Sequence, residues 1–208
     1  MFDSILNRVR PERKYSKEEL QKRLPPGQSL TEKWPVLHYG GVPDVRLKTW
    51  TFRVFGLVEQ PAIWTYEDFM ALPQGNTESV DIHCVTRWSK FDNVFEGVPY
   101  MEIHNRVKPK PEAKYVLVHA EQGFTTNVPL ADLLAPNVIL AHKNNGEELT
   151  EEHGWPLRLV VPHLYFWKSA KWVRGFEYLA EDTPGFWEDA GYHMRGDPWQ
   201  EERYGGGW

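Results

Sequence analysis

Cys84 is the only cysteine in the chain, and it stands in the stretch SVDIHCVTRWSKFD with a histidine beside it and an arginine and a tryptophan just beyond. A thiol in that company has three chemistries open to it. As a small apolar side chain it would fill a core, since free cysteine is among the most buried residue types. As a nucleophile it would need an electropositive, partly open setting and a paired base. His83 is expected to point to the opposite face of an extended strand, while Arg87 lies in the following loop. As a thiolate ligand it would suit a soft metal whose other sulfur donors arrive with a cofactor. One cysteine excludes an intramolecular disulfide framework and a four-thiolate zinc or iron–sulfur site built from this chain alone. A second chemically interesting group is basic: Lys168, Lys171 and Arg174 fall together in KSAKWVR. By themselves they read as a solvated basic edge, because long charged side chains usually stay in water.

The elements that must hold these residues are short. In SVDIHCVT, Val80, Ile82 and Cys84 alternate with Asp81 and His83, which predicts a half-buried strand with the thiol at its end, where a loop begins. Upstream, SKEELQKRLPP carries Ser16 and, three residues later, Glu19, a capping-box signature for a helix that ends at Pro25 and Pro26. LKTWTFRVFGLV places Trp50, Phe52 and Val54 at period two, and TYEDFMALP predicts a short helix entered at Thr65 and stopped before Pro73. Downstream, PYMEIHNRV and PLADLLAP are predicted helices, KYVLVHA, NVILAHK, PLRLVVP and KWVRGFEYL predicted strands, and NNGEEL a turn. The segment HLYFWKSA fits neither pattern. Short strands mixed with short helices, without a βαβ rhythm, predict an α+β fold. The expected organisation is an N-terminal arm (1–33), one domain (34–192) and a C-terminal tail (193–208) that wraps over the surface.

Composition narrows the partners. The chain has 208 residues with 24 basic against 29 acidic, a net charge of −5, so no global positive field draws it to nucleic acid or anionic lipid. No apolar run reaches the roughly 18 to 20 residues of a membrane span, and the first twenty residues lack the order of a signal peptide, which together predict a cytoplasmic protein. Aromatic residues make up 14% of the chain and include ten tryptophans, enough to line a core or a pocket.

Several motifs then coincide. HCVTRWS, GFTTNVPL, HKNNGEELTEEHGWPLRLVVP, KSAKWV and PGFWEDAGY resemble, in order and spacing, the motifs of the sulfite oxidase family's molybdopterin domain over residues 34 to 192. The resemblance implies a sulfite oxidase-like molybdopterin-binding fold and a molybdenum–molybdopterin cofactor, with Cys84 as the protein's ligand to the metal. It implies two-electron oxygen-atom transfer on a small S- or N-oxide type substrate, with electrons exchanged through an external partner, since the sequence shows no haem, flavin or iron–sulfur motif. It also implies that His153, Arg158 and Lys171 anchor the cofactor's phosphate, helped by backbone N–H groups around Ser169 and Ala170. Tyr192 falls at the family's active-site tyrosine, and His38 and Tyr39 at a pterin-contacting loop. Where sulfite-oxidising members carry an arginine this chain has Leu37, which argues against sulfite, although Arg87 or Arg195 is a candidate to restore positive potential. The haem and dimerisation domains of the larger oxidases have no counterpart in 208 residues. The implied cleft is covered by the arm and the aromatic tail. Two other classes stay open on sequence: a metal-free binding module of the same fold, and a hydrolase or redox protein that uses Cys84 directly.

Overall fold

In this computed structural model residues 15–205 are described. The first part of the arm, including most of the stretch read for a signal peptide, and residues 206–208 of the tail lie outside them. The chain opens with α1 (Lys17–Arg23), where the Ser16 side chain accepts from Glu19 N and the Glu19 carboxylate accepts from Ser16 N. It ends at an extended Leu24, as the two prolines that follow require. β1 (Ser29–Leu30), β2 (Thr51–Gly56), β3 (Ala62–Thr65), α2 (Tyr66–Met70), β4 (Gly75–Asn76), β5 (Val80–His83), β6 (Trp88–Asn93), β7 (Phe95–Pro99) and α3 (Tyr100–Val107) follow. The second half comprises β8 (Tyr115–Ala120), β9 (Thr125–Pro129), α4 (Leu130–Leu133), β10 (Ile139–Asn144), β11 (Glu147–Glu148), β12 (Arg158–Val160), β13 (Val173–Leu179) and α5 (Phe186–Asp189). The α+β expectation holds.

Three sheets organise these strands. One runs β3-β2-β13-β8-β9, a second β11-β10-β7-β4 with β12 also pairing β10, and a third β1-β6-β5. In the first, β13 pairs with β2 in parallel and with β8 antiparallel, so residues from the two ends of the domain share its centre. Gly175 makes that approach possible, since a Cβ there would stand 2.2 Å from the Arg53 carbonyl oxygen. Period-two patterning buries Phe52 and Val54 of β2 against Phe69 of α2, Tyr100 of α3 and Phe176 of β13. Each such ring contributes about 1.5–3 kcal/mol of burial. Two buried phenols, Tyr100 and Tyr178, satisfy each other at 2.7 Å.

The structure departs from the sequence reading in three places that bear on function. The described part of the arm does not line the cleft: Arg23 donates to Asp81 at 2.6 and 2.8 Å and to Asp92 at 2.8 Å, pinning α1 to the β5–β6 hairpin, while residues 1–14 lie outside the described residues. His83 is not the solvent face of β5, for it is 4% exposed and its Nδ1 lies 2.8 Å from Ser89 Oγ. Its carbonyl accepts from Phe166 N, so the HLYFWKSA segment covers it. Finally, the tail is anchored rather than draped. Arg203 donates to the Val85 carbonyl, and Tyr204 pairs with Tyr192 as an antiparallel bridge. No helix among the described residues is long and apolar enough to cross a membrane.

Candidate active site

β5 ends at His83, so Cys84 is the first residue of the hairpin loop to β6. The loop is closed by Cys84 N donating to Trp88 O at 2.8 Å and Arg87 N donating to Cys84 O at 3.0 Å. Arg87 itself takes φ 73°, a left-handed turn residue. Cys84 sits in a small cluster with Val85 and Tyr165, edged by Trp88, Trp167 and Tyr192. It opens onto a cavity of about 440 Å³, within the range of small-molecule and cofactor sites. The nearest polar partner of Sγ is the Thr86 hydroxyl at 3.1 Å. Burial pushes the thiol's pKa up, while Thr86 and the charge of Arg203 pull the other way. His83 cannot act as a base for it: burial lowers the histidine to about 4 and its ring faces Ser89.

The far wall of the cavity is cationic. Arg158, on β12, is 1% exposed and has no carboxylate partner among the described residues. Its Nη1 donates to His153 O at 2.8 Å and Nη2 to Ser169 O at 2.9 Å, and Nε has no partner. The guanidinium lies over Phe166 at 4.3 Å and Trp34 at 5.2 Å. Burial drags its pKa down to about 9, the mark of a cation held without a counter-charge. Lys171 reaches only two carbonyls, Leu37 O at 2.8 Å and Glu152 O at 2.6 Å. Burial, then the neighbouring Arg158, lowers it to about 7. The two are brought together by Gly154, whose φ of 110° ends the Glu151–His153 turn. A Cβ there would stand 3.1 Å from both the Arg158 and the Lys171 Cβ.

The third wall is aromatic. Tyr192 stacks on Trp187 at 5.0 Å and meets Trp167 edge-on at 5.1 Å. Trp167 is fixed by its Nε1 donating to Glu188 Oε1 at 2.7 Å, an oxygen that also accepts from Lys168 and Thr126. His38 and Tyr39 line the rim, the first bonded to Gly40 O at 3.0 Å and the second packed on Phe186 at 4.8 Å.

Of the residues singled out in the sequence, Cys84, Tyr192, His38, Tyr39, Arg158, Ser169, Ala170 and Lys171 line this one cavity. His153 and Arg87 do not. His153 stands behind it, packed at a tilt against Trp34 with ring centroids 4.2 Å apart, Nε2 3.3 Å from Trp34 O and Nδ1 2.9 Å from the Thr150 hydroxyl. Because a carbonyl can only accept, Nε2 carries the proton. Burial lowers the ring's pKa, and the residue acts on the cavity through the carbonyl that holds Arg158. Arg87 is exposed and turned toward Gly27. Arg195 is engaged elsewhere, paired with both oxygens of Asp132 at 3.0 Å. The N–H of Ser169 is no free donor either, since it bonds to Phe166 O, and its Oγ accepts from Val161 N at 2.9 Å. The solvated basic edge that these residues suggest by themselves, set aside once the family resemblance is considered, is not what forms: Lys168 is fully buried on Glu188, and Arg174 is half-buried on Glu121 and Thr51. Sequence reasoning missed Trp34, Trp167 and Glu188. Trp167 lies in the segment that fitted neither pattern and Glu188 in a quoted motif, but nothing local marks an indole and a carboxylate 21 residues apart as partners.

Comparison with known proteins follows the same lines. The family profile described as the oxidoreductase molybdopterin binding domain matches residues 39–187. The chain is 54% identical over 183 residues to the uncharacterized oxidoreductase YuiH of Bacillus subtilis, covering 88% of this chain and 92% of that one. It is 29% identical over 175 residues to a putative protein-methionine-sulfoxide reductase subunit, YedZ1, of Azospira oryzae, covering 82% of this chain and 66% of that protein. Among solved structures, the sulfane dehydrogenase SoxCD of Paracoccus pantotrophus superposes with a TM-score of 0.64 at 21% identity, covering 87% of this chain and 56% of that one, which speaks for the fold. The chain belongs to the oxidoreductase molybdopterin-binding domain family, the sulfite oxidase-like group of molybdopterin oxidoreductases.

Proposed function

We propose that this chain holds one molybdenum–molybdopterin in the cavity described above and carries out two-electron oxygen-atom transfer on a small, uncharged S- or N-oxide type substrate, exchanging electrons with an external partner. The observation that carries the proposal is Arg158, a fully buried guanidinium with no carboxylate beside it, in the same cavity as the chain's single thiol. A buried cation without a counter-ion is costly, and a phosphate would relieve that cost through charge-assisted hydrogen bonds. A soft metal would take the thiolate. The donor set therefore fits the group at both of its ends. The rival use of Cys84 as a free nucleophile lacks a base, because burial makes His83 a weak proton acceptor and its ring faces Ser89.

When bound, the cofactor supplies a metal that exchanges two electrons and one oxygen atom with the substrate. The chain's own residues do the rest. Cys84 donates its sulfur from a loop fixed by backbone hydrogen bonds. Arg158 offers a planar fork to the anionic end and Lys171 a point charge. Tyr192, half-buried and stacked on Trp187, presents a hydroxyl for a hydrogen bond to the substrate oxygen. The aromatic wall of Trp88, Trp167 and Trp187 excludes water around it. Among the described lining residues the lysine and arginine side chains are Arg158 and Lys171, and both stand at the proposed phosphate end. With Leu37 on the rim, Arg87 turned away and Arg195 paired to Asp132, no further cation among the described residues faces the cavity to bind sulfite. Neutral oxides suit this surface better.

Metal and pterin analysis of protein from a molybdate-replete host tests the reading. The wild-type chain is expected to carry near-stoichiometric molybdenum and to reduce or form sulfoxides or N-oxides in preference to sulfite. Cys84→Ser is expected to be inactive with a perturbed metal site and an intact fold. A metal-free wild-type protein would favour the binding-module class instead, and ready alkylation of Cys84 in loaded protein would favour a thiol enzyme.

A further inference from the structure

Two side chains that line no part of the cavity reach the back of the Cys84 loop from opposite ends of the chain. Gln28, between α1 and β1, is 8% exposed and donates from Nε2 to the Cys84 carbonyl at 2.9 Å. Arg203, in the tail, is 6% exposed and donates from Nη1 to the Val85 carbonyl at 2.7 Å. Its Nη2 reaches Pro26 O at 3.3 Å, and its guanidinium lies 4.9 Å over the Tyr165 ring that packs with Cys84. The closest carboxylate, on Glu201, is 3.9 Å away and half exposed. The arginine is thus a buried cation bound mainly by carbonyls. Its backbone is also tied to the substrate wall, because His193 N donates to Arg203 O and Tyr204 pairs with Tyr192.

Neither residue is well satisfied. Gln28 Oε1 and Arg203 Nε have no partner among the described residues. Apolar residues of similar shape would cost less to bury than two half-satisfied polar groups. Stability is therefore a poor explanation for them, whereas an effect on the loop is a direct one: consecutive carbonyls, on the ligand residue and the next, are gripped from two sides.

We infer that Gln28 and Arg203 are positioning residues that clamp the Cys84–Val85 backbone, presenting the thiol to the cavity before any cofactor enters and coupling the arm and the tail to cofactor insertion. This rests on Cys84 being the metal ligand. Outer-shell partners of a ligand typically change metal affinity by about 10- to 100-fold when removed.

Arg203→Met, Arg203→Lys and Gln28→Leu, made as full chains, test the clamp in two ways. In cofactor-free chains, the rate at which iodoacetamide labels Cys84 is followed against pH and compared at equal thiolate fraction, because loss of the Arg203 charge also raises the thiol pKa. That rate is expected to rise about tenfold in Arg203→Met and about threefold in Gln28→Leu, with Arg203→Lys between parent and Arg203→Met. In chains loaded at limiting cofactor supply, molybdenum per chain is expected to fall in the same order. Labelling and molybdenum content within about twofold of the parent in both Arg203→Met and Gln28→Leu would overturn the inference, and circular dichroism identifies any variant that does not fold, in which case Gln28→Leu decides. Cys84→Ala separates this failure from the larger one. If that chain keeps its molybdenum the ligand assignment is wrong, while the labelling series still judges the clamp.

Discussion

Lys168 is wholly buried and its ammonium meets four acceptors, Glu188 Oε1, Asn127 O, Asn127 Oδ1 and Met194 O, all within 2.8 Å. Lys171, three residues on, touches two carbonyls and faces a cavity it shares with the unpaired Arg158. The two lysines sit in one short segment and are chemically identical. What separates them is where their counter-charge comes from. Lys168 has its carboxylate inside the chain and so ties the Asn127, Glu188 and Met194 segments together as architecture. Arg158 and Lys171 have none among the described residues, which is the ground on which an anion site is proposed there. Burial lowers the pKa of both lysines, but in Lys168 the charge and hydrogen bond of Glu188 oppose it, whereas in Lys171 the neighbouring Arg158 adds to it.

That contrast can be broken experimentally. Lys168→Met leaves Glu188 buried and unpaired, and is expected to cost about 3–5 kcal/mol of stability in denaturant unfolding. Lys168→Met combined with Glu188→Gln should recover part of the loss, and a purely additive double mutant would dissolve the pair as a unit. Arg158→Met should behave in the opposite way. The cofactor-free chain is expected to lose no more than about 1 kcal/mol, because a few hydrogen bonds go but an uncompensated charge goes too. Molybdenum per chain at limiting supply should nevertheless fall by about tenfold or more, since a charge-assisted contact to phosphate is lost. A large loss of stability with normal occupancy would place Arg158 with Lys168 as architecture.

Lys171→Met is expected to act in the same direction with a smaller effect, about threefold on the affinity of the cofactor-free chain for inorganic pyrophosphate by calorimetry, because its point charge is partly open to solvent. The smallest effect is on pH. With its folded pKa at about 7, below the ordinary 10.5, Lys171 holds its proton more weakly in the folded chain than in the unfolded one. Pyrophosphate affinity should therefore fall as pH rises through about 7, while the stability of the cofactor-free chain gains a contribution between that pH and the ordinary lysine range, where the unfolded state binds the extra proton. Both trends should flatten in Lys171→Met. A pH profile unchanged by that substitution would assign the titration to another group.

Much of the frame was legible in the sequence because the signals were local. Ser16 and Glu19 cap α1 through residues three apart, and Phe52 and Val54 take the buried face of β2 through a period of two. The site was legible only as a set of motifs. His153 and Arg87 illustrate the limit: spacing put them among the candidates, yet one acts through its backbone behind the cavity and the other turns outward. β6 and β7 carried weak patterns and were not foreseen as strands, because they gain pairing partners, β1 and β10, from far along the chain; β9 was missed too, although its partner β8 is its hairpin neighbour.

By itself the amino-acid sequence determined the α+β class, the lone thiol at a strand end, and the order of motifs that identifies the family. It did so because caps, periodicity and residue chemistry act over a few bonds. Which cations are neutralised internally, which face of β5 is dry, and which side chains from the two ends of the chain meet behind Cys84 were decided only in the tertiary structure. Counter-charges and carbonyl partners come from sequence-distant segments, and burial, which sets their electrostatic worth, exists only once those segments pack.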